Sequence, residues 1–80
     1  MSYSFEGYFR TKRSAVMALR DETHTTFPNI VRLLVIEAVQ ALPDDLDDRF
    51  IHIRAQGHQC NGDYERSSHD IVVEPLYFYR

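Results

Sequence analysis

Eighty residues with a formal charge of −3 make one domain, 1–80, near the lower size at which a hydrophobic core holds without disulfide, metal or oligomerisation. The composition, 44% hydrophobic and 26% charged with five Phe, five Tyr and no Trp, excludes a disordered chain. The negative balance excludes a global positive field that would draw the chain to DNA, RNA or anionic lipid, so neither direct nucleic-acid binding nor membrane binding is expected.

In chain order, YSFEGYF alternates: Tyr3, Phe5, Gly7 and Phe9 fall on one side, and Glu6, Tyr8 and Arg10 on the other, the pattern of a half-buried strand. Thr11 is placed to cap a helix through KRSAVMALRDE, in which Ala15, Val16, Ala18 and Leu19 recur at helical spacing. Arg10, Lys12 and Arg13 are the best local basic patch, and they read more economically as a solvated strand-to-helix junction. THTTFPN interrupts the helix, because Thr-rich sequence and the restriction of Pro28 on Phe27 oppose a continuous one.

PNIVRLLVIEAVQAL gives the strongest helical signal, with Pro28 suited to the first turn and Ile30, Val31, Leu34, Val35, Ala38 and Leu42 as the core face. Leu33 and Ile36 are left on the flanks as candidates for an oligomer interface. Pro43 and the acidic run Asp44, Asp45, Asp47 and Asp48 end the helix. The run lacks the glycine and alternating spacing of an EF-hand, which leaves a solvated loop or a dock for a basic partner.

FIHIRAQGH alternates again, with Ile51, Ile53, Ala55 and Gly57 opposed to His52, Arg54, Gln56 and His58. Asn61-Gly62 in the turn-rich QCNGDYERSS is a hairpin signal. DIVVEPLYFYR returns as a strand with Ile71 and Val73 on the core side; Pro75 is expected to shift its phase by a bulge or to mark an edge, with Leu76 and Phe78 then turning inward. Tyr77, Phe78 and Tyr79 are more aromatics than so small a core can bury.

The elements predict an α+β, two-layer sandwich: a three-stranded, mainly antiparallel sheet on one helical layer, as β-α-α-β-β or β-α-β-β, with strand order open. A lone cysteine, Cys60, points to a reducing compartment. MSYSFEGY carries no signal-peptide-like apolar run, and the longest apolar stretch, Leu33 to Ile36, is far too short for a membrane span. A cytoplasmic protein is expected.

The chemistry-bearing residues cluster in the hairpin. His52 and His58 stand six residues apart on one strand, roughly 20 Å, too far to share an ion. His58, Cys60, Asp63 and His69 form one H-x-C pair rather than the paired spacings of a zinc site. A thiol pair of Cys60 with His58 or His69 would need a fixed, electropositive pocket that a hairpin tip does not supply. No nucleophile elbow, P-loop, dinucleotide fingerprint or zinc-protease motif is present. The expectation is a non-enzyme without metal or cofactor. What remains is the sheet face bearing Tyr8, His52, Arg54 and His58, residue types suited to protein recognition.

YSFEGYFRTKRSAV, the break at FPN, IHIRAQGHQCNGD and DIVVEPL together resemble a group of short phage- and prophage-encoded proteins built as a strand, a helical region and two strands, a group without assigned activity. The resemblance implies a small, acidic phage product in the cytoplasm of a bacterial host, binding a host protein or complex, and inhibitors of CRISPR effector complexes are similar in size and style. On that reading Tyr8, Asp44, Asp45, Asp47, Asp48, His52, Arg54 and His58 contact the partner. The alternatives are a homodimeric assembly protein using Leu33, Ile36 or a free edge strand and, behind it, a metal- or thiol-dependent enzyme.

Overall fold

In the computed structural model of the chain, residues 2–21, 27–44, 49–60 and 63–77 are described. The order is β1 (Ser2–Phe9), α1 (Lys12–Asp21), α2 (Asn29–Gln40), β2 (Arg49–Cys60) and β3 (Asp63–Tyr77). The strands form one antiparallel sheet in the order β1-β2-β3. This is the expected three-stranded α+β fold, in its two-helix form.

The first helix starts where the sequence placed its cap. Thr11 Oγ1 accepts the Ser14 N–H at 3.0 Å, and Ser14 Oγ accepts the Thr11 N–H at 3.4 Å, a reciprocal pair that satisfies two donors at the helix start. Lys12 reaches the far end of α2, where its Nζ donates to the carbonyls of Gln40 (3.1 Å) and Leu42 and to Asp44 Oδ1 (3.0 Å). A cation there complements the negative end of the helix and ties two antiparallel helices together. Pro28 stands at the N-cap of α2 with extended backbone, φ −62° and ψ 135°, one position before the helical turn.

Both helices pack on one face of the sheet. The core joins Tyr3, Ala15, Leu19, Phe27, Val31, Val35, Ile36, Val39, Ile51, Ile53 and Ala55. The alternation of β1 and β2 therefore reads as expected, with Phe5, Phe9, Ile71 and Val73 at the rim of this core. Phe27 closes one end, edge-on to Tyr3 and Phe5 at 5.1 and 6.0 Å between ring centroids.

Three expectations are corrected. On α2, Ile36 is 8% exposed and belongs to the core, while Ile30 and Leu34 are outside with Leu33. The helix is apolar around most of its circumference, so spacing alone did not select the face; contact with the sheet through Val31, Val35 and Val39 does. Pro75 pairs with Ile51 in unbroken register, so Leu76 shares the outer face with Phe50 instead of turning inward. Proline fits there because β3 is an edge strand, and an edge residue has one side on which no ladder donor is required. Finally, β3 resumes at Asp63, directly across from Cys60, and a register shift lies between His58 and Cys60. The Cys60 N–H donates to Ser67 Oγ at 2.9 Å across this irregularity. Phe78 and Tyr79 lie outside the described residues.

Candidate functional site

Cross-strand partners share a face, so the register fixes what the sheet displays away from the helices. Its rows are Ser2–His58–Ser68, Ser4–Gln56–Asp70, Glu6–Arg54–Val72 and Tyr8–His52–Glu74, followed by Phe50–Leu76. Four residues singled out from sequence, Tyr8, His52, Arg54 and His58, are thus brought onto one face of adjacent strands.

His52 is the centre of this face. Its side chain is only 12% exposed, although no helix covers it, because its neighbours do. The Tyr8 ring stacks on the imidazole at 4.6 Å and 19°. Glu6 Oε2 meets Nε2 at 2.8 Å, and Glu74 Oε1 stands 3.8 Å from Nδ1. Glu6 of β1 thus holds the imidazole by a hydrogen bond, Glu74 of β3 stands beyond hydrogen-bond range on the other side, and Tyr8 keeps 59% of its own surface exposed.

The same face continues in both directions. Asp70 Oδ2 accepts from Arg54 Nη2 and Gln56 Nε2, each at 3.4 Å. Ser2 Oγ and His58 Nδ1 are 3.3 Å apart. Toward the other end the Arg10 guanidinium lies over the Phe50 ring, 5.0 Å from its centroid, a cation–π contact. Each exposed pair contributes at most about 1 kcal/mol. Together they hold long polar side chains in place, which leaves this face little rotamer freedom to lose.

On the opposite face, at the end of the core, the hydroxyl of Tyr3 and Nδ1 of His69 are 2.6 Å apart. They belong to the row Tyr3–Gly57–His69, and the tyrosine reaches across the place where Gly57 has no side chain. His58 and His69 consequently project from opposite faces of the sheet. Among the described residues no group of three or more His, Cys, Asp or Glu is arranged to hold a metal ion.

The remaining sequence candidates lie elsewhere. Asp44 is fully exposed and paired with Lys12 on the helical side of the molecule, separate from Tyr8 and His52. Asp45, Asp47 and Asp48 lie outside the described residues. Leu33 is 65% exposed on α2, whereas Ile36, being in the core, supplies no interface. Glu74, Asp70 and Phe50, which complete the open face, were not among the sequence candidates. The signal was strand parity: Asp70 and Glu74 alternate with the core residues Ile71 and Val73 on β3, and Phe50 alternates with Ile51 on β2.

A hollow of about 460 Å³ opens around Gly57, with Ser4, Gln56, Ser68 and Asp70 on its walls. No helix of the described residues is long and apolar enough to cross a membrane. Compared with protein-family models, curated proteins and solved structures, the chain matches none.

Proposed function

We propose that the chain is a non-enzymatic protein-binding module of the small phage type, which acts by occupying a surface of a host protein or complex through the open face of its sheet. One observation carries the reading. All helical packing is on one side, and the uncovered side bears an outward aromatic, Tyr8, seated on His52 and flanked by Glu6, Glu74, Arg54 and Arg10. Tyr and Arg are the residue types that most often carry interface energy. A charged, cross-braced surround suits a rim that fixes register and excludes wrong partners.

A host defence complex, of the CRISPR effector kind, is the target that the resemblance to phage products implies. Asp44 has a reduced part in this reading, since it is paired with Lys12 and stands apart from the open face. Affinity capture from bacterial host lysate with the wild-type chain, Tyr8→Ala and Arg54→Ala tests the assignment. One host complex captured by the wild type and lost from both variants, with circular dichroism unchanged, is the expected result. Capture that ignores both substitutions would refute the open face as the contact.

A further inference from the structure

The two edges of the sheet are not alike. The β3 edge carries Pro75 and a register shift near its hairpin end, devices that discourage strand addition. The β1 edge, SYSFEGYF, has no proline, no lysine and no irregularity in its pairing with β2. Alternate residues of such an edge direct N–H and C=O groups outward. Beside it runs a groove of about 360 Å³ lined by Phe9, Ser14, Met17, Ala18 and Asp21. The groove joins the Phe9 end of the strand edge to the outer side of α1 in one wall, and Met17 is exposed on it.

We propose that this wall pairs with the same wall of a second copy, β1 antiparallel to β1 about a two-fold axis near Gly7, with α1 beside α1 around Met17. The chemistry of the wall is self-complementary. A register centred on Glu6 would set two carboxylates face to face, which is unfavourable. Centring on Gly7 instead sets Glu6 opposite Tyr8, Ser4 opposite Arg10 and Phe5 opposite Phe9 of the second copy.

In each protomer the Phe5 and Phe9 rings are parallel, 6.3 Å apart. The Phe9 ring occupies the space where a Gly7 side chain would be, with its Cζ 2.7 Å from an ideal Cβ. The pairing buries four such rings at the junction. On the helices, antiparallel packing centred on Met17 sets Arg13 of one copy opposite Asp21 of the other, which is complementary in charge.

With the axis at Gly7 the paired stretch runs from Ser4 to Arg10, seven residues at about 3.4 Å each, or about 24 Å, and the molecule is 19–20 Å across its short axes. That is about 450 Å² per copy, or about 900 Å² in total, the size of a weak, concentration-dependent dimer. The product is a six-stranded sheet whose two open faces lie on the same side. The dimer stands independently of what those faces bind.

Sedimentation and light scattering of the full chain across a wide concentration range test the proposal. The expected mass is twice the 9.4 kDa protomer, with slowed amide exchange between Ser4 and Phe9 as the dimer forms. Met17→Lys and Arg13→Glu, each folded by circular dichroism, are expected to shift the protein to monomer, and Arg13→Glu with Asp21→Arg to restore the dimer. A wild type that stays monomeric throughout would overturn the proposal. So would a dimer without protection of the β1 amides, a dimer that survives Met17→Lys but not Leu33→Lys, or a double variant that remains monomeric.

Discussion

The hydroxyl of Tyr3 and Nδ1 of His69 lie 2.6 Å apart on the two edge strands of the sheet, with only Gly57 between them. The pair closes the core at the end where the hairpin leaves the helices, so a polar contact does there what an apolar row does elsewhere. Tyr3 is buried, and the loss of a hydrogen bond in such a place leaves the remaining partner inadequately solvated. Tyr3→Phe is therefore expected to lower unfolding free energy by about 1–2 kcal/mol, read from urea denaturation. Wild-type stability in this variant would show that the contact carries no weight.

Gly57 and Gly7 lie on the same face of the sheet but differ in what a side chain would meet. An ideal Cβ at Gly57 would lie 2.1 Å from the backbone oxygen of Ser68, whereas at Gly7 it would meet the far end of the Phe9 side chain at 2.7 Å. Backbone in a paired strand has little freedom to yield, and an aromatic ring at the rim has more. Gly57→Ala is expected to cost about 3 kcal/mol and Gly7→Ala about 1 kcal/mol, in the range of overpacking penalties. Thermal unfolding of the two variants checks the order, and the reverse order would contradict this reading of the sheet.

Lys12 separates a helix-end contact from an ion pair. Its ammonium meets two α2 carbonyls, while its carboxylate partner Asp44 is fully exposed. Removal of the cation by Lys12→Met is expected to cost about 1 kcal/mol. Asp44→Asn should leave stability unchanged within error, because an ion pair with one member in solvent is strongly screened. Equal losses in the two variants, measured by chemical denaturation, would place the stabilisation in the ion pair instead.

Two leucines test where the helices bury their faces. Leu19 is fully buried and Leu33 is 65% exposed. Leu19→Ala is expected to destabilise by about 3 kcal/mol, and Leu33→Ala to change stability by less than about 0.5 kcal/mol. Comparable losses at both positions would mean that Leu33 is covered in solution.

The contrast also shows what could be read from the sequence. Strand faces were legible because Tyr3, Phe5 and Phe9, and Ile51, Ile53 and Ala55, alternate with polar residues, so one face is chosen unambiguously. The cap at Thr11 was legible for a local reason: the donors and acceptors are three residues apart. The face of α2 was not, since Ile30, Val31, Leu33, Leu34, Val35 and Ile36 present apolar surface in nearly every direction, and the choice among them depends on the sheet beneath. For the site, Tyr8, His52, Arg54 and His58 followed from strand parity. The face of Glu74 and Asp70 followed from Ile71 and Val73, but which β2 residues they meet depended on the hairpin register, which a shift between His58 and Cys60 sets.

Binding through the open face, as proposed, is tested most directly by the affinity of the captured partner for single-site variants. Isothermal titration calorimetry with purified partner is expected to show that Tyr8→Ala weakens binding more than tenfold, as loss of a central aromatic contact does, while Leu33→Ser on the helical side leaves it unchanged. Retained affinity in Tyr8→Ala together with a loss in Leu33→Ser would rule out the open face as the contact and move it to the helical layer.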